Sequence, residues 1–570
     1  MSTFTAIKER IVVRDVDQAA ADLLAHELCV SPVAGRILAG RNITPADCRA
    51  FFKPSLANLH DPFLFQDMER ATARILAAID SKEKIVVHGD YDADGISATA
   101  LLIRVLGELG ATCSYYIPNR LTDGYGVTED GVRTIARGGA TLLVTVDCGI
   151  TAINEIGVAN ACGMDVIVTD HHVPKEDLPE AIAILNPKIP GSSYPDKDLA
   201  GVGVVLKLCQ GLCRKSGSPD SLWENHLDLA SLGTCADIVP LMGENRIITK
   251  FGFERMRTTD KPGLAALIEI NGLTGKPMTT SAVAFQIAPS INAAGRLGSA
   301  ASGIELLLTD DLAVARHCAE DLRNSNYERR AINQTVWDEA CAWVQAHCSP
   351  EKDFAIVVGN AGWHAGVIGI VASKLVEKYH RPALLFSIGN DGMARGSGRS
   401  IPGLHLLDVL GECSDLLETF GGHAAAAGMN IKAASIDAFR ERFNEAVRRK
   451  VSPSDLVPVV VADAEAGMQD LTPKLFSLIK AMEPFGPGNA RPLLYCRGLI
   501  KRGAPKIVGK NHLKMTVSGE GTTMDAIAFN FGDRIDEIKA ADEFSLAFSL
   551  DENEWNDTIK LQMKVKGISV

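Results

Sequence analysis

No run of about 18 apolar residues occurs in the 570-residue chain, so no stretch of it is long and apolar enough for a membrane-spanning helix. The first residues, Met1 to Arg10, meet charge before any apolar stretch, and no secretory leader is visible. A CxxC pair is lacking too. The 13 cysteines are scattered, Cys209 and Cys213 being the closest, which gives neither a disulfide framework nor a zinc ribbon. Most read as small core residues. Internal repeats and low-complexity tracts are absent. There is no basic excess: 58 Lys and Arg face 70 Asp and Glu, a net charge of −12. That excludes a polycation gripping nucleic acid along its whole length but leaves room for a local basic groove. The expectation is a soluble cytoplasmic protein with no membrane attachment.

What is present suits a multidomain globular protein. Apolar residues are 46% and charged residues 22% of the chain, near the average for soluble domains, and the length allows three or four domains. From Lys84 to Asn186, β-branched runs alternate with helical stretches. The expected strands are Lys84–His88, Thr112–Ile117, Thr141–Val146, Asp165–Thr169 and Ala181–Leu185, with a helix over Ile96–Leu106. Spacings that admit one helix between strands imply right-handed βαβ units, and continuous apolar runs imply strands covered on both faces. The fold class is α/β: a doubly wound parallel sheet, long connecting helices, a second smaller α/β domain and a C-terminal all-β barrel. The limits expected are an N-terminal helical extension over 1–50, the first α/β domain over 51–260, a helical connector over 261–350, the second α/β domain over 351–450 and the barrel over 455–570. Within the connector, Asp311–Ser325 and Tyr327–His347 read as one long helix or two stacked ones.

The first chemistry-bearing motif is His88-Gly89-Asp90-Tyr91-Asp92-Ala93-Asp94-Gly95, at the junction of the first strand and its helix. Its acidic residues would repel one another at the carboxyl edge of a parallel sheet, where open α/β sheets place ligands. An acidic turn with a capping Asp explains it alone. The pattern repeats, however: one strand ends in Asp147 and another in Asp170-His171-His172. Carboxylates with imidazoles and no thiolate favour Mn²⁺ or Mg²⁺ over structural zinc, and two such ions would stabilise the attacking and departing oxygens of a displacement at phosphorus.

His88-x-x-x-Asp92-x-Asp94, Asp147, Asp170-His171-His172 and Asp237 in Gly233-Thr234-Cys235-Ala236-Asp237 together resemble the DHH phosphoesterase superfamily. Gly421-Gly422-His423-Ala424-Ala425-Ala426-Ala427-Gly428 resembles the glycine-rich motif of the DHH-associated domain. Length and domain order resemble the single-stranded-DNA exonucleases of that superfamily. The resemblance implies one cation on His88, Asp92 and Asp147 and another on Asp94, Asp147, His171 and Asp237. Asp90 would orient His88 or close the turn, and His172 would face the scissile phosphate as electrostatic partner or proton donor. The implied activity is 5′-to-3′ hydrolysis of single-stranded DNA to nucleoside 5′-monophosphates in recombination and repair. The implied partners are a single-strand-binding protein and a helicase, with the enzyme itself a monomer.

Further candidates for the phosphate backbone are Arg120, Arg296, His364, Arg395, Ser397, Arg399 and His423, which stand among glycines or small residues that let a backbone approach closely. The resemblance assigns the 5′ phosphate to Arg120, Ser397 and Arg399. Between Arg491 and Lys514 lie seven basic and no acidic residues: Arg491, Arg497, Lys501, Arg502, Lys506, Lys510 and Lys514, with Tyr495 and His512 available for stacking. Such a strip suits an oligonucleotide-binding (OB) barrel following single strands. Two alternatives are a small-phosphate hydrolase of the same superfamily (oligoribonuclease, cyclic-dinucleotide phosphodiesterase or pyrophosphatase), which would not need this last domain, and a non-catalytic replication scaffold, which would have lost ligands.

Overall fold

The computed structural model describes residues 8–118, 126–297, 301–555 and 558–570. The chain forms two units: one comprises Cys48–Tyr327 with Met482–Ala490, the other Met1–Asp47, Glu328–Ala481 and Arg491–Val570.

The first unit is built on five parallel strands, β1 (Lys84–Gly89), β2 (Thr112–Tyr116), β3 (Leu142–Val146), β4 (Asp165–Thr169) and β5 (Ala183–Leu185), in the order β2-β1-β3-β4-β5. Strand β3, Leu-Leu-Val-Thr-Val, is buried throughout, as its lack of alternation requires; each wholly buried Val or Leu contributes about 1.5–3 kcal/mol. The register decides the chemistry. Gly89 pairs with Val146 and Val146 with Thr169, so Asp90, Asp147 and Asp170 leave the sheet in one row.

Helix α1 (Ala93–Glu108) follows β1, then α2 (Gly201–Ser216), α3 (Leu227–Ala236), α4 (Gly243–Met256) and α5 (Ala288–Leu297). Helix α1 begins three residues before the expected Ile96. Asp92 caps it, and Asp94 lies inside its first turn. Helix α6 (Leu312–His347) is one unbroken helix of 36 residues; no Gly or Pro interrupts it.

In the second unit, β6 (Ile356–Asn360), β7 (Ala383–Ile388), β8 (Met393–Arg399), β9 (Thr419–Gly422) and β10 (Ala426–Lys432) form a mixed sheet in the order β9-β10-β8-β7-β6, with α7 (Ile368–Tyr379) after β6. Beyond it come β11 (Leu494–Lys501), β12 (Lys506–Val508), β13 (His512–Gly519), β14 (Thr522–Ala528), β15 (Phe544–Trp555) and β16 (Thr558–Ser569). Pairing runs β11-β15-β16-β14-β13, and Ile500 and Lys501 of β11 meet Ser518 and Val517 of β13, closing a five-stranded barrel. The N-terminal region is not purely helical: Arg10–Val13 forms a strand paired in parallel with Val459–Ala462.

Candidate active site

Asp92 Oδ1 accepts from the amides of Asp94 (2.9 Å) and Gly95 (3.1 Å), and Asn292 Oδ1 of α5 accepts from Ala93 N (2.8 Å). The first orphan amides of α1 are thus satisfied. Asp94, buried, is gripped at the start of α2, where Gly201 N and Val202 N donate to its two oxygens at 2.8 and 3.0 Å. Two glycines make room. A Cβ on Gly201 would lie 2.4 Å from Asp147 Oδ1, and one on Gly233 would lie 2.4 Å from Asp94 Oδ1.

Asp147 is buried and left-handed, with φ of 60°, and Ile238, which follows Asp237, also has φ of 60°. Such conformations cost on the order of 1–3 kcal/mol each and concentrate at functional sites. His171 Nε2 lies 3.2 Å from Asp147 Oδ1 and 3.5 Å from Asp237 Oδ2. His88 Nε2, Asp147 Oδ1 and His171 Nε2 are buried with no hydrogen-bond partner among the described residues. Three groups of ligand atoms, each within 4.8 Å of one another, stand here among the described residues: Asp94 with His171 and Asp237, Asp90 with Asp92 and Asp147, and Asp147 with His171 and His172. Asp90, placed by resemblance outside the ligand set, joins the second group. His88 belongs to none of the three; its Nδ1 lies 3.7 Å from Cys148 Sγ, and its Nε2 is the unpaired nitrogen.

Electrostatics agree with a cation-binding cluster. Burial, then the neighbouring carboxylates, raises Asp94 and Asp147 well above the usual carboxylate range. Burial, then Asp92, brings Asp237 to about 7. Burial lowers His88 to about 4 and, with the charge of His172, His171 to about 3. Neutral imidazoles facing crowded carboxylates are the donor set for a hard or borderline divalent cation, whose charge reverses the penalty. Beside them His172 Nδ1 sits 2.7 Å from Asp170 Oδ1, and Asp170 also accepts amides from His171, His172 and Ile150. Burial lowers the pKa of His172, but the Asp170 contact outweighs it and the net shift is upward.

The second unit carries the phosphate candidates. Arg395, Ser397 and Arg399 alternate along one face of β8, opposite Asn430, Gly428 and Ala426 of β10. Arg399 donates to Ser397 Oγ at 3.1 Å, and a Cβ on Gly369, in the first turn of α7, would lie 2.8 Å from that oxygen. Ser397 and Arg399 therefore stand at a helix N-terminus, which favours anions. A cavity of about 280 Å³ lined by Arg395, Thr419, Phe420 and Asn430 adjoins them. His364 Nδ1 accepts from Gly366 N at 3.0 Å, and His423 is exposed in the turn between β9 and β10. Arg120 lies outside the described residues, and so does the side chain of Arg296.

The barrel divides the basic strip. Arg497 pairs with Glu465 (2.9 Å), Arg491 with Asp551 (3.5 Å), Lys501 donates to the carbonyl of Ala541, and Arg502 donates to Ser518 Oγ (2.8 Å). Lys506, Lys510 and Lys514 are exposed, without an ion pair among the described residues. Lys506 and Lys514 face each other directly across β12 and β13, and Ile527 connects that row to Lys564. Like charges directly opposite are destabilising, so this row is suited to an anion. Tyr495 is not available for stacking: it is only 8% exposed, packed with Ala462 and Ala547 against Ile11, Val13 and Val460 of the paired Arg10–Val13 and Val459–Ala462 strands. The stacking surface is instead Phe529, 43% exposed, with His512 at 5.0 Å and Lys564 Nζ 5.4 Å from its ring centre. Phe529 lies outside the basic window; only the hairpin pairing of β13 and β14 brings it there.

A parallel sheet whose strand ends deliver carboxylates and imidazoles to one cation-sized cluster defines a metal-dependent phosphoesterase. Comparison with known proteins specifies it further. Residues 84–234 match the DHH family N-terminal domain, 352–449 the DHHA1 domain and 462–567 the RecJ OB domain. The chain is 39% identical to the single-stranded-DNA-specific exonuclease RecJ of Bacillus subtilis over 99% of its own length and 71% of that protein. It is 35% identical to RecJ of Escherichia coli over 97% of its length and 98% of that protein. The crystal structure of Thermus thermophilus RecJ in complex with Mn²⁺ superposes with a TM-score of 0.84 at 31% identity, covering 99% of this chain and 80% of that one. The chain belongs to the RecJ family of single-stranded-DNA-specific exonucleases.

Proposed function

We propose the following assignment of roles in a metal-dependent exonuclease that degrades single-stranded DNA from its 5′ end to nucleoside 5′-monophosphates in recombination and repair. The observation that carries it is the row of Asp90, Asp147 and Asp170 at the sheet edge, with Asp94, His171 and Asp237 closing on it. His88, Asp92, Asp94, Asp147, His171 and Asp237 would hold two divalent cations, Mn²⁺ or Mg²⁺, Asp147 standing in two of the ligand groups. When bound, the cations supply Lewis-acid charge at the phosphodiester and lower the pKa of the attacking water. Asp94 is fixed for this by the α2 amides and Asp92 by its capping bonds, so little reorganisation accompanies substrate binding. His172, held by Asp170 through Nδ1, would face the scissile phosphate as an electrostatic partner or proton donor.

Arg395, Ser397 and Arg399, with the first turn of α7, bind backbone phosphates, as do His364 and His423 by their glycine-rich turns; Arg120 and Arg296 are phosphate ligands of the other unit. On the barrel, Lys506, Lys510 and Lys514 track the strand while Phe529 stacks a base. Arg497, Lys501 and Arg502 reach the strand only by leaving their internal partners. A single-strand-binding protein and a helicase supply the unpaired end, and the enzyme works as a cytoplasmic monomer. No helix among the described residues is long and apolar enough to cross a membrane.

Oligonucleotides labelled at one end or the other test the reading. Labelled mononucleotide should appear at once from the 5′ label, equally fast with a blocked 3′ end, and scarcely at all from blunt duplex. Early release of a 3′ label contradicts the polarity, and comparable turnover of pyrophosphate or a dinucleotide favours a small-phosphate hydrolase. For the barrel, binding is measured in a hydrolysis-dead background across a salt series. Phe529→Ala should weaken single-strand affinity by about 1–3 kcal/mol. Lys514→Ala should flatten the dependence of log Kd on log salt by about 0.7. An unaltered slope would remove Lys514 from the strand path.

A further inference from the structure

Helix α4 opens with three consecutive polar residues that are all buried, Glu244, Asn245 and Arg246. None of them belongs to the cation groups, yet each is anchored in its own direction. Glu244 Oε1 accepts from His60 N and Lys207 Nζ, both at 2.9 Å, and Oε2 accepts from the Tyr194 hydroxyl. The Arg246 guanidinium donates to the carbonyls of Phe51, Met482, Glu483 and Pro484. Asn245, fully buried, donates through Nδ2 to Asp198 O at 2.6 Å and Pro240 O at 3.0 Å, while its Oδ1 has no hydrogen-bond partner among the described residues.

The two carbonyls that Asn245 joins are informative. Asp198 lies three residues before Gly201, whose amide grips Asp94; Pro240 lies three residues after Asp237. One side-chain amide therefore connects the segment whose amides hold Asp94 with the segment that follows Asp237, the two carboxylates grouped with His171. The segment after Asp237 needs such support. Ile238, β-branched and 60% exposed, sits at φ of 60°, a conformation that persists only where its surroundings over-determine it. The surroundings do so from two sides. Asn245 holds Pro240, and Leu241 N donates to Pro487 O at 2.8 Å; that second segment is itself fixed by Arg246 and by Asn489 Nδ2, bound to the carbonyls of Met482 and Pro484. Both amide hydrogens of Asn245 are used and its acceptor is not, so the position needs two donors.

We infer that Asn245 is a positioning residue: by fixing the Asp198 and Pro240 segments to each other it sets the separation of the Asp94 and Asp237 carboxylates, and hence the affinity for the cation held by Asp94, His171 and Asp237. The inference rests on the two-cation reading above. Supporting groups of this kind change metal affinity by about 10- to 100-fold. Neither carbonyl that Asn245 binds belongs to the chain segments that carry Asp90, Asp92 and Asp147.

The test is Mn²⁺ binding to the full-length, DNA-free protein, by calorimetry and by the loss of the free-ion paramagnetic signal, for wild type, Asn245→Ala, Asn245→Asp and Asn245→Ser. Wild type should bind two ions. Asn245→Ala and Asn245→Asp should keep one at unchanged affinity and weaken the other by about tenfold or more, with Asn245→Ser, which retains one donor, between them. The half-saturating Mn²⁺ for exonuclease activity should rise in parallel, with kcat restored at high Mn²⁺. Variants that fold and bind both ions as wild type does, or that all fail to fold, assign the amide to stability alone and overturn the inference. Wild type that binds no Mn²⁺ instead overturns the two-cation reading, so the two failures are distinguishable.

Discussion

Replacing Asp147 by asparagine should reduce single-strand hydrolysis by more than about 10³-fold, some 4 kcal/mol of transition-state stabilisation, while leaving the protein folded. The size of the effect follows from sharing. Asp147 stands in two of the three ligand groups, and its Oδ1 accepts no hydrogen bond among the described residues, so both proposed cations would lose a negatively charged oxygen at once. Asparagine is the informative replacement because it fits the space beside Gly201 and tolerates φ of 60° better than most residues. Without cations the variant should melt above wild type, since one member of a mutually repelling carboxylate cluster has become neutral. Parallel measurements of turnover with Mn²⁺ and of Tm in chelator check both halves. Substantial turnover, or a lower Tm in chelator, would contradict the shared-ligand role.

The second large effect is on pH. In chelator, stability should fall as pH rises above about 6.5, and Mn²⁺ should abolish the fall. Asp94, Asp147 and Asp237 have folded pKa values raised above their unfolded ones, Asp237 to about 7. Over that range the native state binds more protons than the unfolded chain, and stability drops with pH. His88 and His171, lowered to about 4 and 3, act oppositely: they are neutral in the native state where the unfolded chain is protonated, and stability rises with pH until the unfolded imidazole pKa near 6.5 is passed. The two sets therefore oppose each other on the acid side. Above about 6.5 only the carboxylates remain, joined by His172, whose raised pKa is lost in the same direction. Cations remove the repulsion and with it the slope. Melting curves from pH 5 to 9, with chelator and with Mn²⁺, should diverge only on the alkaline side; parallel curves would mean the carboxylates are not clustered in solution.

The cation cluster was legible in the sequence because its residues sit where strand periodicity stops. A parallel sheet in register makes sequence-distant strand ends neighbours, so Asp147 and Asp170 could be set beside the His88 motif from strand endings alone. Asp237 came from resemblance rather than spacing, since it closes α3. The partition of ligands was less legible: Asp90 stands with Asp92 and Asp147, and the turn that brings it there is a matter of backbone direction over two residues. Helix α1 begins earlier than its apolar pattern because capping by Asp92, not hydrophobicity, sets its start. The basic strip misled in part. Four of its seven residues find internal partners elsewhere in the chain, as Arg497 does with Glu465, while Phe529 reaches the exposed lysines only through the register of β13 and β14. Asn245 had no local signal at all. Its partners, Asp198 and Pro240, are 47 and 5 residues away, and a buried amide among polar neighbours reads as an ordinary helix start.

The most direct measurement is anomalous X-ray scattering at the manganese edge from crystals grown with Mn²⁺. The expected result is two peaks about 3.5–4 Å apart, with an oxygen of Asp147 between them, Asp94, His171 and Asp237 around one, and Asp92 beside the other. A single peak, or manganese bound away from the ends of β1, β3 and β4, would contradict it.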